Sequence, residues 1–128
     1  VDYSRRPSEH NALGRQLQQL RNRGVLIVGS GNIVHNLRAV RRGVADNEAY
    51  DWAQAFDAAI QKQIANGQLG ELQNFQALGE VARLAHPTYD HYLPLLYAAG
   101  AASANEMPRF FNTGFQSASI SMRSVIWG

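Results

Sequence analysis

The chain of 128 residues contains no cysteine, which excludes disulfide frameworks, thiolate zinc clusters and cysteine nucleophiles. Its apolar runs are short, whereas a membrane span needs about 20 consecutive apolar residues. The first residues, Val1-Asp2-Tyr3-Ser4, lack the apolar stretch of a signal peptide. We therefore expect a cytoplasmic protein with no membrane partner.

Lysine is almost absent, because Lys62 is the only lysine among the twelve basic residues. Eight arginines lie within residues 1–42 against two acids, whereas residues 43–106 carry eight acids and two basic residues. Clustered arginines can bind phosphate, so a nucleic-acid face is one interpretation. Most of them fall on the polar side or at the end of a predicted helix, however. We therefore expect a solvated face that pairs with the acidic half, and no nucleic-acid partner. The arginines concerned are Arg5, Arg6, Arg15, Arg21 and Arg23.

The hydrophobic pattern of the chain indicates an α/β fold. Hydrophobic residues make up 45% of the chain, which is ordinary for a globular domain. Leu13, Leu17 and Leu20 recur at helical spacing and predict a helix over residues 8–22, with Gly24 as its C-terminal cap. The β-branched run over residues 25–28 lies between glycines and predicts a strand buried on both faces. Helix, short loop and buried strand are typical of a mostly parallel sheet flanked by helices.

The rest of the chain predicts further helices and two C-terminal strands. A helix over residues 47–66 has Asp46 as its N-cap and Gly67 at its end. Its apolar stripe consists of Ala49, Ala53, Phe56, Ile60 and Ile64. Short helical segments follow near residues 69–75 and 81–85, then a polar loop over 86–91 and a helix over 92–99. Residues 109–115 and 118–127 predict the two strands.

The loop after the first predicted strand is a candidate site, because ligands of open α/β sheets bind beyond the carboxyl ends of the strands. Gly29 and Gly31 lack the third glycine of a dinucleotide fingerprint, and no lysine follows as in a phosphate loop. A serine hydrolase built from Ser30, His91 and Asp90 is conceivable, but the flanking glycines of a nucleophile elbow are missing. A tight turn without any ligand also explains the two glycines.

Four histidines are the other candidates, since imidazole binds Zn, Fe and Cu and acts as an acid or base near neutral pH. His35 and His91 both follow loops next to apolar elements, and Asp90 lies beside His91, where a carboxylate can orient the ring. His10 lies in an arginine-rich helix and is expected at the surface, whereas His86 is open to either interpretation. Most aromatic residues are expected in the core, and any that face the histidine loop would suit a flat aromatic ligand. Those near His91 or before the last strand are Tyr89, Tyr92, Tyr97, Phe110, Phe111 and Phe115.

Four stretches, taken in order, resemble the C-terminal half of the 4,5-DOPA extradiol dioxygenase family. They are GSGNIVHNL at residues 29–37, HPTYDHYLPL at 86–95, FNTGF at 111–115 and SISMRSV at 119–125. This family belongs to the class III extradiol ring-cleaving dioxygenases and is related to the catalytic subunit of protocatechuate 4,5-dioxygenase. The resemblance extends over essentially the whole chain, including its opening residues 2–15.

The resemblance implies a catechol substrate such as DOPA, dioxygen and one divalent metal, which is Fe(II) in catalysis and often zinc in isolated proteins. His91 falls where the family places its C-terminal metal-site histidine. His35 matches the histidine of the glycine loop, which is either a further ligand or an acid/base. We favour acid/base, because catechol must lose a proton to chelate iron. Asn32, Asn36, Asp90 and Tyr92 are candidate substrate-binding or supporting residues.

The resemblance also implies that the chain carries only part of the site, because the family's other metal histidines lie in an N-terminal half. Residues 1–128 are therefore expected to be the C-terminal half of a larger catalytic domain, in agreement with the absent initiator methionine. Such a half would expose apolar surface and associate with the missing half, another chain or a second copy. A non-catalytic interaction domain is the competing hypothesis. Arg38 and Arg123 are candidates for binding a substrate carboxylate.

Overall fold

The computed structural model describes all of residues 1–128 and combines helices with four short strands. The α-helices are α1 (Pro7–Arg21), α2 (Asp51–Ala65), α3 (Glu80–Ala85) and α4 (Leu93–Ala101), with 3₁₀ segments at Leu37–Ala39 and Leu69–Leu78. The strands are β1 (Arg109–Phe111), β2 (Phe115–Gln116), β3 (Ile120–Ser121) and β4 (Ser124–Ile126). None of the helices has the length and hydropathy needed to cross a bilayer.

Helix α1 has nearly the bounds that its sequence predicts. Pro7 occupies the first turn, where a missing N–H leaves no intrahelical bond unmade. The carboxylate of Glu9 accepts a hydrogen bond of 2.9 Å from the N–H of Arg6 and so caps the helix start. At the other end Asn22, not Gly24, is the C-cap. Gly24 lies two residues further on, where it adopts a φ of +80° and its N–H donates to the carbonyl of Arg21 at 3.0 Å.

The buried face of α1 differs from the predicted leucine stripe. His10, Asn11 and Gly14 are buried, whereas Leu13 is 43% exposed. The reason is the close packing of α1 on α4, where a Cβ at Gly14 would lie 2.5 Å from the carbonyl oxygen of Tyr97. Only a residue without a Cβ allows the two backbones to approach so closely. The prediction that His10 lies at the surface is therefore wrong.

Helix α2 begins at Asp51, later than predicted, because the residues before it bond to the C-terminal strands. Asn47 has a φ of +73°, and its N–H donates to the carbonyl of Phe115 at 3.2 Å. Tyr50, not Asp46, is consequently the N-cap. Four of the five residues of the predicted apolar stripe are fully buried in the helix, namely Ala53, Phe56, Ile60 and Ile64. Ala49 lies before the helix and is only partly buried.

One hydrophobic core holds the helices together. It lies between α2, α3, α4 and the 3₁₀ segment Leu69–Leu78. Full burial of one large apolar side chain contributes about 1.5–3 kcal/mol. The largest fully buried apolar side chains are Tyr92, Phe56, Phe75, Ile60, Ile64, Leu72, Leu93 and Leu96.

The predicted buried strand over residues 25–28 does not form in this chain. Leu26 and Val28 are 78% and 75% exposed, and no other segment bonds to their backbone. A central strand needs a partner on each edge, and the residues present supply none. Both sheets are two-stranded and antiparallel, β1 with β4 and β2 with β3. The architecture is thus mixed helix and strand with small antiparallel sheets, and the expected parallel sheet is not present among these residues.

Each predicted C-terminal strand is divided into two shorter ones. Asn112, with a φ of 49°, follows β1 and interrupts the first predicted strand, whereas Ser117 and Ala118, with φ values of 52° and 65°, lie in the turn between β2 and β3. The chain therefore bends at these residues, and β3 comes to lie beside the glycine loop. The N–H of Ser121 donates to the carbonyl of Val34 at 3.0 Å.

Candidate active site

The fold brings His35 and His91 into face-to-face contact, although they are far apart in the sequence. Their ring centroids are 3.6 Å apart and the ring planes differ by 9°. The side chain of His91 is 42% exposed, and that of Asp90 beside it is 47% exposed. Both residues that the sequence singled out as chemical candidates thus lie at one accessible site next to a carboxylate.

The backbone of His35 is held from two sides. Its N–H donates to the carbonyl of Ala85 at 3.0 Å, at the end of α3. On the other side His35 forms an antiparallel bridge with Ile120 of β3, and the N–H of Asn36 donates to Ser119 at 3.2 Å. Two independent elements therefore fix the position from which the imidazole projects.

His91 is tied directly to the glycine loop. The N–H of Asn32 donates to the carbonyl of His91 at 2.9 Å. A Cβ at Gly31 would overlap that same carbonyl oxygen, so any larger residue would push the loop away from His91. Close backbone approach thus accounts for Gly31 without a ligand, which is the tight-turn interpretation.

His86 lies in the core next to this pair and supports the loop. It is 5% exposed, and its Nε2–H donates to the carbonyl of Ile33 at 2.6 Å, which assigns the proton to Nε2. Its Nδ1 is buried without a partner. Burial lowers the pKa of His86 to about 4, so the ring is neutral at neutral pH. Of the two interpretations that the sequence left open, the structural one describes His86.

The two asparagines of the loop bond to the backbone. Asn36 is buried, and its side chain donates to the carbonyl of Leu84 at 2.7 Å while accepting from the N–H groups of Arg38 and Ala39. Asn32 donates from Nδ2 to the carbonyl of Ser121 at 3.1 Å. These bonds connect the loop to α3 and to β3, so both side chains hold the loop in shape.

Burial and neighbouring charges set the protonation of the site. Burial lowers the pKa of His35, nearby His91 adds to this effect, and Asp90 opposes it. A hydrogen bond from Thr88 lowers the pKa of Asp90, which is therefore ionised at neutral pH. Its carboxylate lies 3.7 Å from Nε2 of His91. The arrangement favours a neutral His35 stacked on a histidine that faces a negative charge.

A cavity of about 530 Å³ adjoins the pair. His91 and Asn32 line it together with Phe111, Trp127 and Arg123. An apolar wall with a few polar groups is typical of a site for a small organic ligand. Of the aromatic residues that the sequence listed as candidates, only Phe111 lies on this cavity, and Trp127 joins it.

Arg123 is held by a buried carboxylate that the sequence analysis missed. Asp57 is 3% exposed and accepts hydrogen bonds of 2.9 and 2.7 Å from Nε and Nη2 of Arg123, and one of 2.6 Å from the hydroxyl of Ser121. The available signal was an acidic residue within the apolar stripe of α2, next to Phe56. Arg38, the other candidate for a substrate carboxylate, is exposed and does not line the cavity.

The remaining candidates lie away from the cavity. Tyr92 is fully buried, its hydroxyl donates to the carbonyl of Leu72 at 3.0 Å, and burial raises its pKa. Its ring packs 5.3 Å from that of His86, so it supports the site from the core. The Tyr97 hydroxyl shares a hydrogen bond of 2.8 Å with Nδ1 of His10. The hydroxyl of Ser30 makes no hydrogen bond with a histidine, so the nucleophile–base pair of a serine hydrolase is absent.

Three of the five N-terminal arginines pair with acids, and only Arg21 pairs with the acidic half of the chain as expected. Arg21 binds Glu106 through both guanidinium nitrogens, one of them at 2.7 Å, and so joins α1 to the segment after α4. Arg5 and Arg6 pair locally with Glu9. A separate polar cavity of about 620 Å³ beside Arg21 contains none of the four histidines.

The donors near His91 suit a divalent metal only in part. Imidazole nitrogen and carboxylate oxygen are common ligands of Fe and Zn. However, no three His, Cys, Asp or Glu side chains of the chain are grouped so that they could hold an ion. The stacking sets a further limit, because the lone pair of each imidazole nitrogen lies in its ring plane. The two ring planes are nearly parallel and about a ring thickness apart. One ion therefore cannot lie in both planes and also be about 2.1 Å from a nitrogen of each ring. The pair as it stands therefore offers one imidazole ligand.

Comparison with known proteins identifies the family. Residues 3–126 match the catalytic LigB subunit of aromatic ring-opening dioxygenase. The chain is 36% identical over 127 residues to the 4,5-DOPA dioxygenase extradiol of Escherichia coli (strain K12), which covers 98% of this chain and 46% of that protein. It is also 36% identical over 101 residues to the 4,5-DOPA dioxygenase extradiol of Beta vulgaris, covering 77% of this chain and 36% of that protein.

The fold agrees with this match. The crystal structure of an uncharacterized protein from Escherichia coli K12 is similar to this chain with a TM-score of 0.88 and 35% sequence identity, over 98% of this chain and 52% of that one. The chain thus spans about half the length of the Escherichia coli proteins that it matches. The family resemblance of its histidine and glycine segments is confirmed over nearly all residues, and the chain belongs to the family of the catalytic LigB subunit of aromatic ring-opening dioxygenases.

Proposed function

We propose that this chain is the C-terminal half of an extradiol dioxygenase that opens the ring of a catechol such as DOPA. The observation that carries the proposal is the stacked pair His35–His91 beside an apolar cavity, in a chain of this family. Two relatives are named 4,5-DOPA dioxygenase extradiol, which supports the substrate class. In this proposal the rest of the site comes from a part of the protein outside these 128 residues.

His91 is the metal ligand that we assign to this chain. Its imidazole is accessible and has the Asp90 carboxylate 3.7 Å away, which can orient the ring. Fe(II) is the metal proposed for catalysis, with zinc as an alternative occupant. When bound, the metal supplies an electrophilic centre for the catechol oxygens and dioxygen. Donors outside this chain complete its coordination.

His35 is the acid/base in this proposal. Because two stacked rings cannot share one ion in their planes, His35 does not bind the metal when His91 is the ligand. Burial lowers its pKa, so its imidazole is neutral at neutral pH and a ring nitrogen can accept a proton. That proton comes from a catechol hydroxyl, which leaves an imidazolium and a catecholate. Both atoms of dioxygen then enter the product as the ring opens beside the two hydroxyls, giving a muconic semialdehyde-type compound.

The cavity determines how a flat substrate can approach. Phe111 and Trp127 offer aromatic surface, and Asn32 lies at the histidine end. Arg123 is already bound by Asp57, but no hydrogen bond uses its Nη1. We therefore prefer Arg123 to Arg38 for binding a substrate carboxylate.

A non-catalytic interaction domain is the second candidate function. The exposed apolar side chains of Leu26 and Val28 favour it, because a lone globular domain rarely leaves neighbouring large apolar residues so bare. In the dioxygenase proposal the same surface is covered by the rest of the protein. Metal content and turnover distinguish the two. A cytoplasmic location and the lack of a nucleic-acid partner stay predictions.

The test uses a chimera in which this chain replaces the matched part of the Escherichia coli 4,5-DOPA dioxygenase extradiol. We expect the chimera to bind iron or zinc and to consume oxygen with DOPA. His91→Ala should abolish metal binding, measured by elemental analysis. His35→Gln should retain the metal but lower turnover by about 10²–10⁴-fold.

His10→Gln is the matched control, because it removes an imidazole in the α1–α4 contact and should leave the metal content unchanged. A chimera without metal, or one whose metal content is unaffected by His91→Ala, would contradict the dioxygenase proposal. Loss of metal in His35→Gln would make His35 a ligand and overturn its acid/base role alone.

A further inference from the structure

Residues 25–31, here called the open segment, have the composition of a buried strand but none of its bonds. Val25-Leu26-Ile27-Val28 is the most β-branched run of the chain, yet residues 26–31 make no hydrogen bond through any backbone N–H or carbonyl group. An unpaired, apolar strand edge is a template for pairing with another extended chain. The open segment therefore has unused bonding capacity on its backbone.

One side of the open segment is already packed and the opposite side is bare. A Cβ at Gly29 would overlap the carbonyl oxygen of Pro94, and one at Gly31 would overlap that of His91, so this side lies directly on the start of α4. Side chains of an extended chain alternate between two sides. Accordingly Leu26 and Val28 point the other way and are 78% and 75% exposed. The segment is thus held in place with one face uncovered.

The groove next to the open segment is also mostly apolar. Residues 25–33 line the cavity of about 530 Å³ together with Phe111 and with Val125, Ile126 and Trp127 at β4. Because β4 bonds only to β1, its other edge is unpaired as well. Two unpaired extended segments therefore border one apolar groove.

We propose that the open segment is the docking strand for the part of the protein that lies outside these 128 residues, which adds an extended apolar segment alongside it by main-chain hydrogen bonds. The inference rests on the proposed function in one respect: it takes the whole protein to have the length of the catalytic relatives. The chain covers 46% and 52% of the two Escherichia coli proteins, so a comparable length of chain is available as occupant.

The position of the groove favours this occupant over a second copy of the chain. The open segment continues directly into residues 32–35, which end at His35, and His91 lines the same cavity. A chain that pairs here arrives beside the stacked histidines, where donors for a metal are lacking. A second copy would bring the same incomplete donor set.

The chimera defined above and the 128-residue chain by itself provide the test. Hydrogen exchange followed by mass spectrometry should show residues 26–31 unprotected in the chain alone and at least about 100-fold protected in the chimera, as expected when open amides enter a ladder. In the 128-residue chain by itself, Leu26→Asp and Val28→Asp should each change the equilibrium constant for folding by no more than about twofold, because both sites are exposed. In the chimera each should lower it by about 30-fold or more, since a charge is then buried.

Met107→Asp is the matched control, because Met107 is 80% exposed and does not line the groove, so it should be neutral in both proteins. The proposal would be overturned if residues 26–31 stay unprotected in the chimera or if Leu26→Asp has equal effects in both proteins. A chimera that does not unfold cooperatively would overturn it as well. Concentration-dependent protection in the chain alone would assign the groove to a second copy and overturn it too. These readouts require neither metal nor turnover, so the docking can hold even where the dioxygenase proposal fails.

Discussion

The helical body and the glycine-loop region of this chain differ in how they are held. In the body, comprising α1 to α4, the backbone bonds are internal and large side chains close a core around Phe56 and Leu96. In the glycine-loop region, residues 25–36, the first part of the backbone is unbonded, and the rest depends on bonds to other elements, such as His86 to Ile33. The difference lies mainly in the first part of the glycine-loop region, because its second part contributes Ile33 and Val34 to the core and holds His35.

Cutting the buried ion pair that joins the helical body to the C-terminal strands should have the largest effect. Arg123→Ala leaves the carboxylate of Asp57 buried without its cation, and breaking such a pair costs about 3–5 kcal/mol. We expect this loss in the free energy of unfolding of the 128-residue chain, measured with urea. Arg109→Ala is the control, because Arg109 is exposed and has no acidic partner, and it should change stability by less than about 0.5 kcal/mol. Equal effects of the two variants would mean that Asp57 does not depend on Arg123.

The support of the loop by His86 should make stability depend on pH. Its pKa is about 4 in the folded chain and ordinarily 6.5, so between these values only the unfolded state takes up a proton. The free energy of unfolding should therefore be independent of this group above pH 6.5 and fall by about 3 kcal/mol as the pH drops to 4. Urea titrations across this range measure it.

His86→Gln is the comparison for that prediction. It removes the titrating group, so the difference in slope between the two proteins isolates His86 from the carboxylates. A wild-type slope that His86→Gln leaves unchanged would contradict the burial of a neutral ring.

The smallest effect is expected at the open segment. Leu26→Ala in the 128-residue chain should change the free energy of unfolding by less than about 0.5 kcal/mol, because the side chain is exposed and does not pack in the core. Ile60→Ala in the helical body, where the side chain is fully buried, should cost about 2–5 kcal/mol. Thermal or urea unfolding of both variants tests the comparison, and similar losses would show that residues 25–28 are packed after all.

Prediction from the sequence succeeded where the determinants are local. The stripe Ala53, Phe56, Ile60 and Ile64, the start of α1 at Pro7 and its end near Gly24 follow from helical spacing and terminal residues. The sequence also singled out His35 and His91 as candidates. It could not predict that their rings stack, because that contact depends on how β3 and the end of α3 hold the loop.

The wrong predictions share a physical cause. Residues 25–28 look like a buried strand, but a strand exists only with partners, and this chain has none beside it. His10 looked like a surface residue and is buried, because Gly14 lets α1 approach α4 closely enough to cover it. Asp57 was overlooked, since its partner Arg123 is distant in the sequence.

The absence of cysteine, the helix spacing and the histidine and glycine segments were determined by the sequence alone. They excluded thiol chemistry and indicated the family. The tertiary structure decided which polar groups are buried, which rings meet and which strand stays open. These depend on pairings between distant segments, and no local pattern encodes a contact whose other half lies elsewhere in the chain.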